Sequence, residues 1–260
     1  MTDITTAPPT DSTEIFFSRK SNGWQVKPTC LSRFGDVYKS EFSDVERADL
    51  AGGKCFCGQC HGYGRCRFKT PRNAHDVYQN IQKTGLTAAC LICRAADAIG
   101  HHANDILVSF GCGAGSCIAG YEYSRGSQFN QIYGVEIEAI ATRFATATFP
   151  NLTVVKNVAQ LDISKDGRLI VITSLVGNIV DSQTIKSWAQ FVADQRDEFI
   201  WINVGRDPDK KNAIPCGEIL LEEFGWTQEP MAAELSLPNW GNSNDPLRKG
   251  YTLSIKHWRI

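Results

Sequence analysis

The sequence has no apolar run that approaches the ~18 residues a membrane helix needs. Its first residues, MTDITTAPPTDSTEIFF, lack the basic start and apolar core of a signal peptide. Lysine and arginine number 27 against 28 aspartates and glutamates, and the net charge of -1 creates no overall field that favours nucleic acid or a membrane. These absences predict a globular cytoplasmic or nuclear protein with no membrane partner.

Cysteine, in contrast, is plentiful, with ten among the 260 residues. Without a secretion signal, we expect thiols or metal ligands rather than disulfides. Cys90 and Cys93 are three residues apart on the apolar face of a predicted helix, so we expect buried core thiols there. Four other cysteines crowd into one short segment and are the candidate metal ligands: Cys55, Cys57, Cys60 and Cys66.

That segment predicts a zinc site because a two-residue spacer lets two thiolates reach one tetrahedral ion, and glycines permit the tight turn. Its C-G-Q-C-H-G-Y-G stretch resembles one half of a DnaJ-type zinc module, with the second half absent. His61 or Cys30 could substitute for one of the four ligands. The segment also interleaves basic and aromatic residues, which fits either an RNA contact or a solvated loop.

The chain divides into three predicted parts. Residues 1–14 are expected to be a disordered tail, residues 15–73 an N-terminal cysteine-rich segment, and residues 74–260 the main domain. From residue 74 onward, apolar strand-like runs such as DILVSF and LIVITSLV alternate with helical patterns. This alternation predicts an α/β fold with a mostly parallel sheet covered by helices on both faces, and the last residues, YTLSIKHWRI, predict an antiparallel strand.

A glycine turn follows the first strand of that domain, with glycines at Gly111, Gly113 and Gly115. Glycines there let backbone N–H groups approach a ligand, and the next helix offers its positive end. Glu136 ends the next strand, 25 residues after Gly111, and a carboxylate offers two acceptor oxygens for a ribose diol. We therefore expect an adenosine-bearing ligand, although a purely structural strand–helix turn and a solvated acid explain the same residues.

The turn reads G-C-G-A-G from Gly111 through Cys112 to Gly115, which resembles the first motif of class I S-adenosylmethionine-dependent methyltransferases. The resemblance covers residues 105–205 and implies a Rossmann-like fold, with S-adenosyl-L-methionine as the cofactor and Glu136 on its ribose. Ser109 stands where that family often has an acid, two residues before the first glycine. The resemblance therefore implies that the contact to the methionine amino group is missing or is supplied by other residues.

The same resemblance implies roles at the next two strand ends. Asn157 falls where the family often has an adenine-binding aspartate, and Asp162 could serve if the register slips. The fourth strand end faces the methyl acceptor in this family, which implies catalytic candidates at Thr173, Ser174 and Asn178. Packing and capping are equally good explanations of the threonine and serine.

No motif identifies the methyl acceptor. The N-P-P-Y-like tetrapeptide typical of base-amino methylation is absent, and so is an obvious K-D-K-E set for ribose methylation. Tyr78 and the segment Tyr133-Gly134-Val135-Glu136 faintly resemble the non-SET histone lysine methyltransferases of the disruptor-of-telomeric-silencing type. Gln79-Asn80 and Thr173-Ser174 depart from that family's pattern. We therefore expect a macromolecular methyl acceptor, either a protein lysine or RNA. A non-catalytic Rossmann-like binding protein is the third possibility.

Overall fold

A computed structural model describes residues 16–20, 23–48, 73–100, 102, 104–125, 131–174, 180–206, 227–229 and 251–259. Its strands are β1 (Phe17–Lys20), β2 (Gly23–Val26), β3 (Ile106–Phe110), β4 (Gln131–Val135), β5 (Leu152–Val155), β6 (Leu169–Ser174), β7 (Glu198–Arg206), β8 (Thr227–Glu229) and β9 (Tyr251–Arg259). Its α-helices are α1 (Pro28–Ser40), α2 (Asp44–Arg47), α3 (Ala74–Asn80), α4 (Leu86–Ile99), α5 (Ser116–Arg125), α6 (Ala139–Thr148) and α7 (Ser182–Gln195). A π-helical turn, Ile81–Gly85, joins α3 to α4, and a 3-10 turn spans Val158–Gln160.

Seven strands form the main sheet in the order β5-β4-β3-β6-β7-β9-β8. Parallel pairing joins β3 to both β4 and β6, β4 to β5, and β6 to β7. The C-terminal β9 pairs antiparallel with β7 and β8, so it alone opposes the other six strands. The predicted α/β class, the mostly parallel sheet and the antiparallel last strand are confirmed, and the arrangement is Rossmann-like.

Helices cover both faces of this sheet because alternate residues of each buried strand point to opposite sides. On one face, α4, α5 and α6 pack against Leu107, Ile170 and Ile202. On the other face, α7 packs through Ile185, Trp188 and Val192 against a second cluster that includes Val108, Val171 and Trp258. Every residue of β3 is buried, which explains its continuous apolar run.

The helix predicted around Cys90 and Cys93 is interrupted near its start. α3, the π-turn and α4 follow one another without a break, and both cysteines lie fully buried in α4, as expected. Gly85, at the end of the π-turn, contacts Ser116 so closely that a Cβ there would overlap the serine hydroxyl. The π-turn therefore brings the helix pair against the residue that follows the glycine turn.

The N-terminal helices share the core of the main domain. Phe34 and Phe42 belong to the same buried cluster as Phe144 of α6, and Phe42 stacks on Phe144 with ring centroids 4.5 Å apart. Tyr38 of α1 stacks on Tyr78 of α3 at 4.4 Å. Residues 28–48 thus pack on the α/β body, whereas residues 49–72, with the four cysteines of the predicted zinc site, lie outside the described part of the chain. The domain boundary at residue 73 stays a prediction.

A charged clamp holds the amino end of β3. Arg168 donates to both carboxylate oxygens of Asp105, at 2.9 and 2.8 Å, and to the carbonyls of Ile99 and Gly100 at 3.2 and 2.8 Å. The Asp105 side chain is fully buried. The clamp ties the end of α4 and the start of β3 to the residue before β6.

None of the helices in the described ranges has the length and apolar character to cross a bilayer.

Asp105→Asn should lower the free energy of unfolding by about 3 kcal/mol, because it leaves a largely buried guanidinium without its counter-charge. Urea unfolding measures the change. Asp44→Asn is the matched control, since Asp44 pairs with Arg47 while its side chain is 96% exposed, and it should change stability by less than ~0.5 kcal/mol. Equal effects of the two substitutions would contradict a structural role for the clamp.

Candidate functional site

The candidate residues meet at one edge of the sheet, where the parallel strands end. The glycine turn follows β3, Glu136 follows β4, Asn157 lies just beyond β5, and Ser174 ends β6. The chain runs outward from β3 to β4 and β5 and then returns to the other side of β3 with β6. Such a reversal opens a crevice beyond the strand ends, where open α/β sheets bind their ligands.

The three glycines of the turn all adopt left-handed backbone conformations, with φ of +64° at Gly111, +53° at Gly113 and +90° at Gly115. A Cβ on Gly113 would meet nothing within 4 Å, whereas one on Gly115 would overlap the ring of Phe149. The two glycines therefore serve different purposes. Gly115 admits a packed aromatic ring, and Gly113 leaves its backbone bare beside open space, as a cradle for a ligand requires.

Glu136 is bonded directly to this turn. Its Oε2 accepts from the Gly113 N–H at 2.9 Å, and its Oε1 accepts from the N–H groups of Ile137 and Glu138, both at 2.9 Å. A carboxylate has about four in-plane acceptor positions, so three backbone donors leave roughly one on Oε2. The half-buried carboxylate is therefore held in a fixed orientation, and Oε2 is the oxygen available to a ligand hydroxyl.

The turn also packs on β4 through Cys112 and Gly134. A Cβ on Gly134 would lie 2.7 Å from Cys112 Sγ and 3.3 Å from its Cβ. The N–H groups of Gly111 and Cys112 both donate to the Val135 carbonyl, at 2.8 and 3.1 Å. Gly134 is thus required because the turn folds over it, a role that the sequence did not reveal.

The two cysteines at the turn are not suited to nucleophilic chemistry. Burial raises the pKa of the Cys112 thiol far above its ordinary value, with a further contribution from the negative charge of Glu136. Burial also raises the pKa of Cys117 to about 11, although a hydrogen bond with Ser174 opposes the shift. Both thiols stay protonated near neutral pH, so the structure supports packing roles for them.

The remaining predicted ligand residues are dispersed along the same edge. Ser109 is buried within β3, 2% exposed, and lies beside Gly134 and Ile172 in the strand register. Asn157 is exposed and caps the 3-10 turn, with its Oδ1 accepting from the Ala159 N–H at 3.0 Å. Asp162 is exposed beyond that turn. The cofactor roles of all three stay predictions.

The catalytic candidates on β6 differ in accessibility. Thr173 is fully buried, and its hydroxyl accepts from Trp201 Nε1 at 2.8 Å and donates to Asn203 Oδ1 at 2.9 Å. Ser174 is half-buried and contacts the Cys117 thiol. Asn178 lies outside the described residues. Thr173 is therefore placed to hold its neighbours on β7, and Ser174 is the more exposed of the two.

Two residues at this edge escaped the sequence analysis. Ile137 follows Glu136 directly, is 77% exposed, and is one of only three exposed large apolar side chains among the described residues. Because Ile137 lies beside Glu136, the candidate ribose-binding acid, its side chain offers an apolar surface to a flat ring of a ligand. Asn203 lies inside β7, three residues before the strand ends, as the register partner of Thr173 near the end of β6. In the sequence, Asn203 is only a single amide residue within the apolar run FIWINVG, and this pattern did not indicate a functional role for it.

Metal binding has no counterpart in the described part of the chain, where no group of three or more histidine, cysteine, aspartate or glutamate side chains is arranged to hold an ion. Cys55, Cys57, Cys60 and Cys66 lie outside it, together with His61. The zinc site therefore stays a prediction.

No family model matches the chain, and no curated protein does. Among solved structures, it is similar to the plantazolicin methyltransferase BamL in complex with a triazolic desmethylPZN analog and SAH, with 15% identity, a TM-score of 0.49, and coverage of 74% of this chain and 92% of that one. It is also similar to magnesium protoporphyrin IX methyltransferase from Synechocystis PCC 6803 with bound SAM, with 15% identity, a TM-score of 0.46, and coverage of 98% and 100%. A TehB-like SAM-dependent methyltransferase from Corynebacterium glutamicum follows at 13% identity, a TM-score of 0.45, and coverage of 69% and 92%. At these sequence identities, the similarity between this chain and the solved structures concerns at most the fold.

Gly134→Ala should destabilise the protein by about 1–3 kcal/mol, because the added methyl group overlaps Cys112 Sγ. Urea unfolding provides the measurement. Cys112→Ala in the same chain should recover most of that loss, since it removes the overlapping sulfur atom, and Cys112→Ala alone is the control. Simple addition of the two single effects would show that the turn does not pack on β4 in this way.

Proposed function

We propose that this protein is an S-adenosylmethionine-dependent methyltransferase. The observation that carries the proposal is the contact between Gly113 and Glu136, in which a bare, left-handed backbone beside open space is bonded to the carboxylate of the neighbouring strand. A nucleoside laid across the turn meets unobstructed backbone at Gly113 and an oriented acceptor on Glu136. The positive end of α5 begins at Ser116, immediately after the turn.

The residues present fit this cofactor in three respects. Gly113 gives its ribose room, Glu136 Oε2 has capacity for a hydroxyl hydrogen, and Ile137 offers apolar surface next to that carboxylate. Asn157 keeps its amide nitrogen beyond its capping bonds, and that donor can pair with an adenine edge. Ser109 supplies no carboxylate to an amino group, so the methionine end depends on other contacts.

When bound, the cofactor supplies an electrophilic methyl group on a sulfonium. This chain's task is then to bind the acceptor in line with that methyl group and to keep water away. Orientation of this kind replaces a bimolecular encounter and accounts for much of such a rate enhancement. A neutral amine attacks with its own lone pair and then releases one proton to solvent; a lysine ammonium must first lose a proton to solvent. A ring nitrogen with a free lone pair has no proton to release. Neither case requires a dedicated base among the strand-end residues.

We infer a macromolecular acceptor, with two candidates. Protein lysine follows from the resemblance at Tyr78 and Tyr133–Glu136, and the stacking of Tyr78 on Tyr38 gives that tyrosine a structural role as well. RNA is the second candidate, favoured by the basic and aromatic residues around Cys55–Cys66. A filter assay with tritiated donor against core histones, bulk RNA and DNA separates the two. The compartment, cytoplasm or nucleus, is likewise a proposal from the sequence.

Glu136→Ala should weaken binding of S-adenosylhomocysteine by ~1–3 kcal/mol, because the ribose loses its acceptor and Gly113 loses the partner that orients it. Isothermal titration calorimetry measures the affinity. Glu138→Ala is the matched control, since it also removes one negative charge, two residues from Glu136. The Glu138 side chain caps α6 by accepting from Ala141 N–H at 2.7 Å. It should cost stability and leave the affinity nearly unchanged.

Thermal unfolding and calorimetry of the wild-type protein also test whether the proposed cofactor binds at all. Wild-type protein saturated at about 100 times the dissociation constant should gain ~2.7 kcal/mol of stability, visible as a higher thermal midpoint. Absence of any shift, together with no heat of binding, would leave the non-catalytic binding protein as the better explanation. Equal weakening by Glu136→Ala and Glu138→Ala would remove Glu136 from the proposed ribose contact.

The cysteine cluster is proposed to hold one zinc ion. Elemental analysis of protein purified without chelator should find about one zinc per chain, since four thiolates complete a tetrahedral site. Cys57→Ser with Cys60→Ser should abolish it, whereas Cys90→Ala, in the core of α4, should leave the zinc content unchanged. Zinc-free wild-type protein would refute the metal site without bearing on the proposed transfer activity.

A further inference from the structure

One arginine of the N-terminal helix α1 contacts both elements that flank the last glycine of the turn. The Arg33 guanidinium lies over the ring of Phe149, 4.3 Å from its centroid, and its Nη1 donates to Glu122 Oε2 at 2.8 Å. Phe149 directly follows α6, and Glu122 belongs to α5, which begins after Gly115. A residue outside the α/β alternation thus joins two elements of the α/β body.

Gly115 is the joint between the glycine turn and α5. Its N–H donates to the Cys112 carbonyl at 2.9 Å, which closes the turn, and its own carbonyl accepts from the Ala119 N–H at 2.9 Å, which begins the helix. Its φ of +90° lies in the region that glycine adopts at no steric cost. The orientation of the turn relative to α5 therefore depends on the backbone angles of this residue.

The ring of Phe149 restricts those angles. Its Cδ2 atom lies 3.0 Å from the position that a Cβ on Gly115 would take, and its Cε2 atom lies closer still. The ring is 1% exposed, and it meets Gly115 with one edge while Arg33 covers a face. A glycine backbone has no side chain of its own to restrict it, so contact with a fixed ring serves that purpose here.

The N-terminal segment contacts α5 at a second point. Phe16, which precedes β1 and is fully buried, packs edge to face on Tyr123 with ring centroids 5.1 Å apart. Tyr123 follows Glu122 in α5. Two consecutive residues of the helix that follows the turn are therefore held by the N-terminal segment.

We propose that Arg33 is a positioning residue of the cofactor site. It holds Phe149 against Gly115, and it holds α5 through Glu122. The turn is thereby kept in the conformation that contacts Glu136 and cradles the cofactor. The inference rests on the proposed transferase function, because it takes the turn as the cofactor cradle. It deepens that function by making cofactor affinity depend on a helix outside the α/β alternation.

The chain offers a closely matched control in Arg143. This arginine lies over the ring of Phe42 at 4.3 Å and pairs with Glu46 at 2.8 Å, and its side chain is 46% exposed, as is that of Arg33. Phe42 stacks on Phe144 of α6, whereas the ring at the last glycine of the turn is Phe149. Loss of Arg143 therefore removes the same kinds of contact at the same distances, around a different ring.

Isothermal titration calorimetry with S-adenosylhomocysteine, combined with urea unfolding, tests the proposal on the full chain. Arg33→Ala should weaken binding about fivefold, at the low end of the couplings found between distinct sites. Arg143→Ala should change the dissociation constant by less than about 1.5-fold. Both substitutions should lower the urea midpoint to a similar extent, since each removes one partly exposed ion pair and one cation–π contact. A purely structural role for Arg33 predicts equal effects on affinity as well.

The contribution of the ring is tested in a Phe149→Leu background. There, Arg33→Ala should weaken binding about twofold or less, since only the contact with Glu122 is left to lose. A full fivefold effect in that background would show that Arg33 does not act through the ring. Arg33→Lys covers the case that the leucine variant does not fold: it keeps the charge but loses the planar stacking, and should weaken binding about twofold.

Failure of the proposed function gives a different result from failure of the positioning role. If wild-type protein gives no heat of binding with S-adenosylhomocysteine, the transferase proposal is overturned, and the role of Arg33 with it. If wild type binds and Arg33→Ala binds equally well, or Arg33→Ala and Arg143→Ala weaken binding to the same extent, only the positioning role is overturned.

Discussion

A single carboxylate connects the two halves of the candidate site. Glu136 Oε2 accepts from Gly113 while its other oxygen accepts from the two amides that follow it, so the ends of β3 and β4 are held in one arrangement. The turn approaches that carboxylate because Gly113 adopts a left-handed backbone conformation, with φ of +53°, and because Gly134 leaves room for Cys112. The site depends on this contact, since a ligand across the turn needs both a bare backbone and an oriented acceptor.

The N-terminal helices contribute to the same region through packing. Arg33 of α1 lies over the ring of Phe149, 4.3 Å from its centroid, and pairs with Glu122 of α5 at 2.8 Å. The Phe149 ring in turn occupies the space that Gly115 leaves open. Residues outside the α/β alternation thus support the last glycine of the turn, and α1 is part of the structure that positions the site.

The two sides of the crevice differ in how their polar groups are arranged. On the β4 side, backbone donors surround one acidic side chain, which suits a ligand with hydroxyl groups. On the β7 side, the buried Thr173 hydroxyl accepts from the Trp201 indole and donates to the amide oxygen of Asn203. The proposed methyl transfer brings two ligands to this edge, and the asymmetry is compatible with that proposal.

The sequence by itself determined the local features: the strand and helix pattern, the left-handed glycine turn, the acid at the end of the next strand and the antiparallel last strand. These follow from continuous apolar runs in the strands, a hydrophobic period of 3.6 residues in the helices, and backbone preferences, all of which act over a few neighbours. Only the tertiary structure decided that Gly134 lies under Cys112, that Arg168 clamps Asp105, and that Thr173 turns inward to Asn203. The members of these pairs are separated by 22, 63 and 30 positions in the sequence, and they meet only because the strand order of the sheet places them side by side.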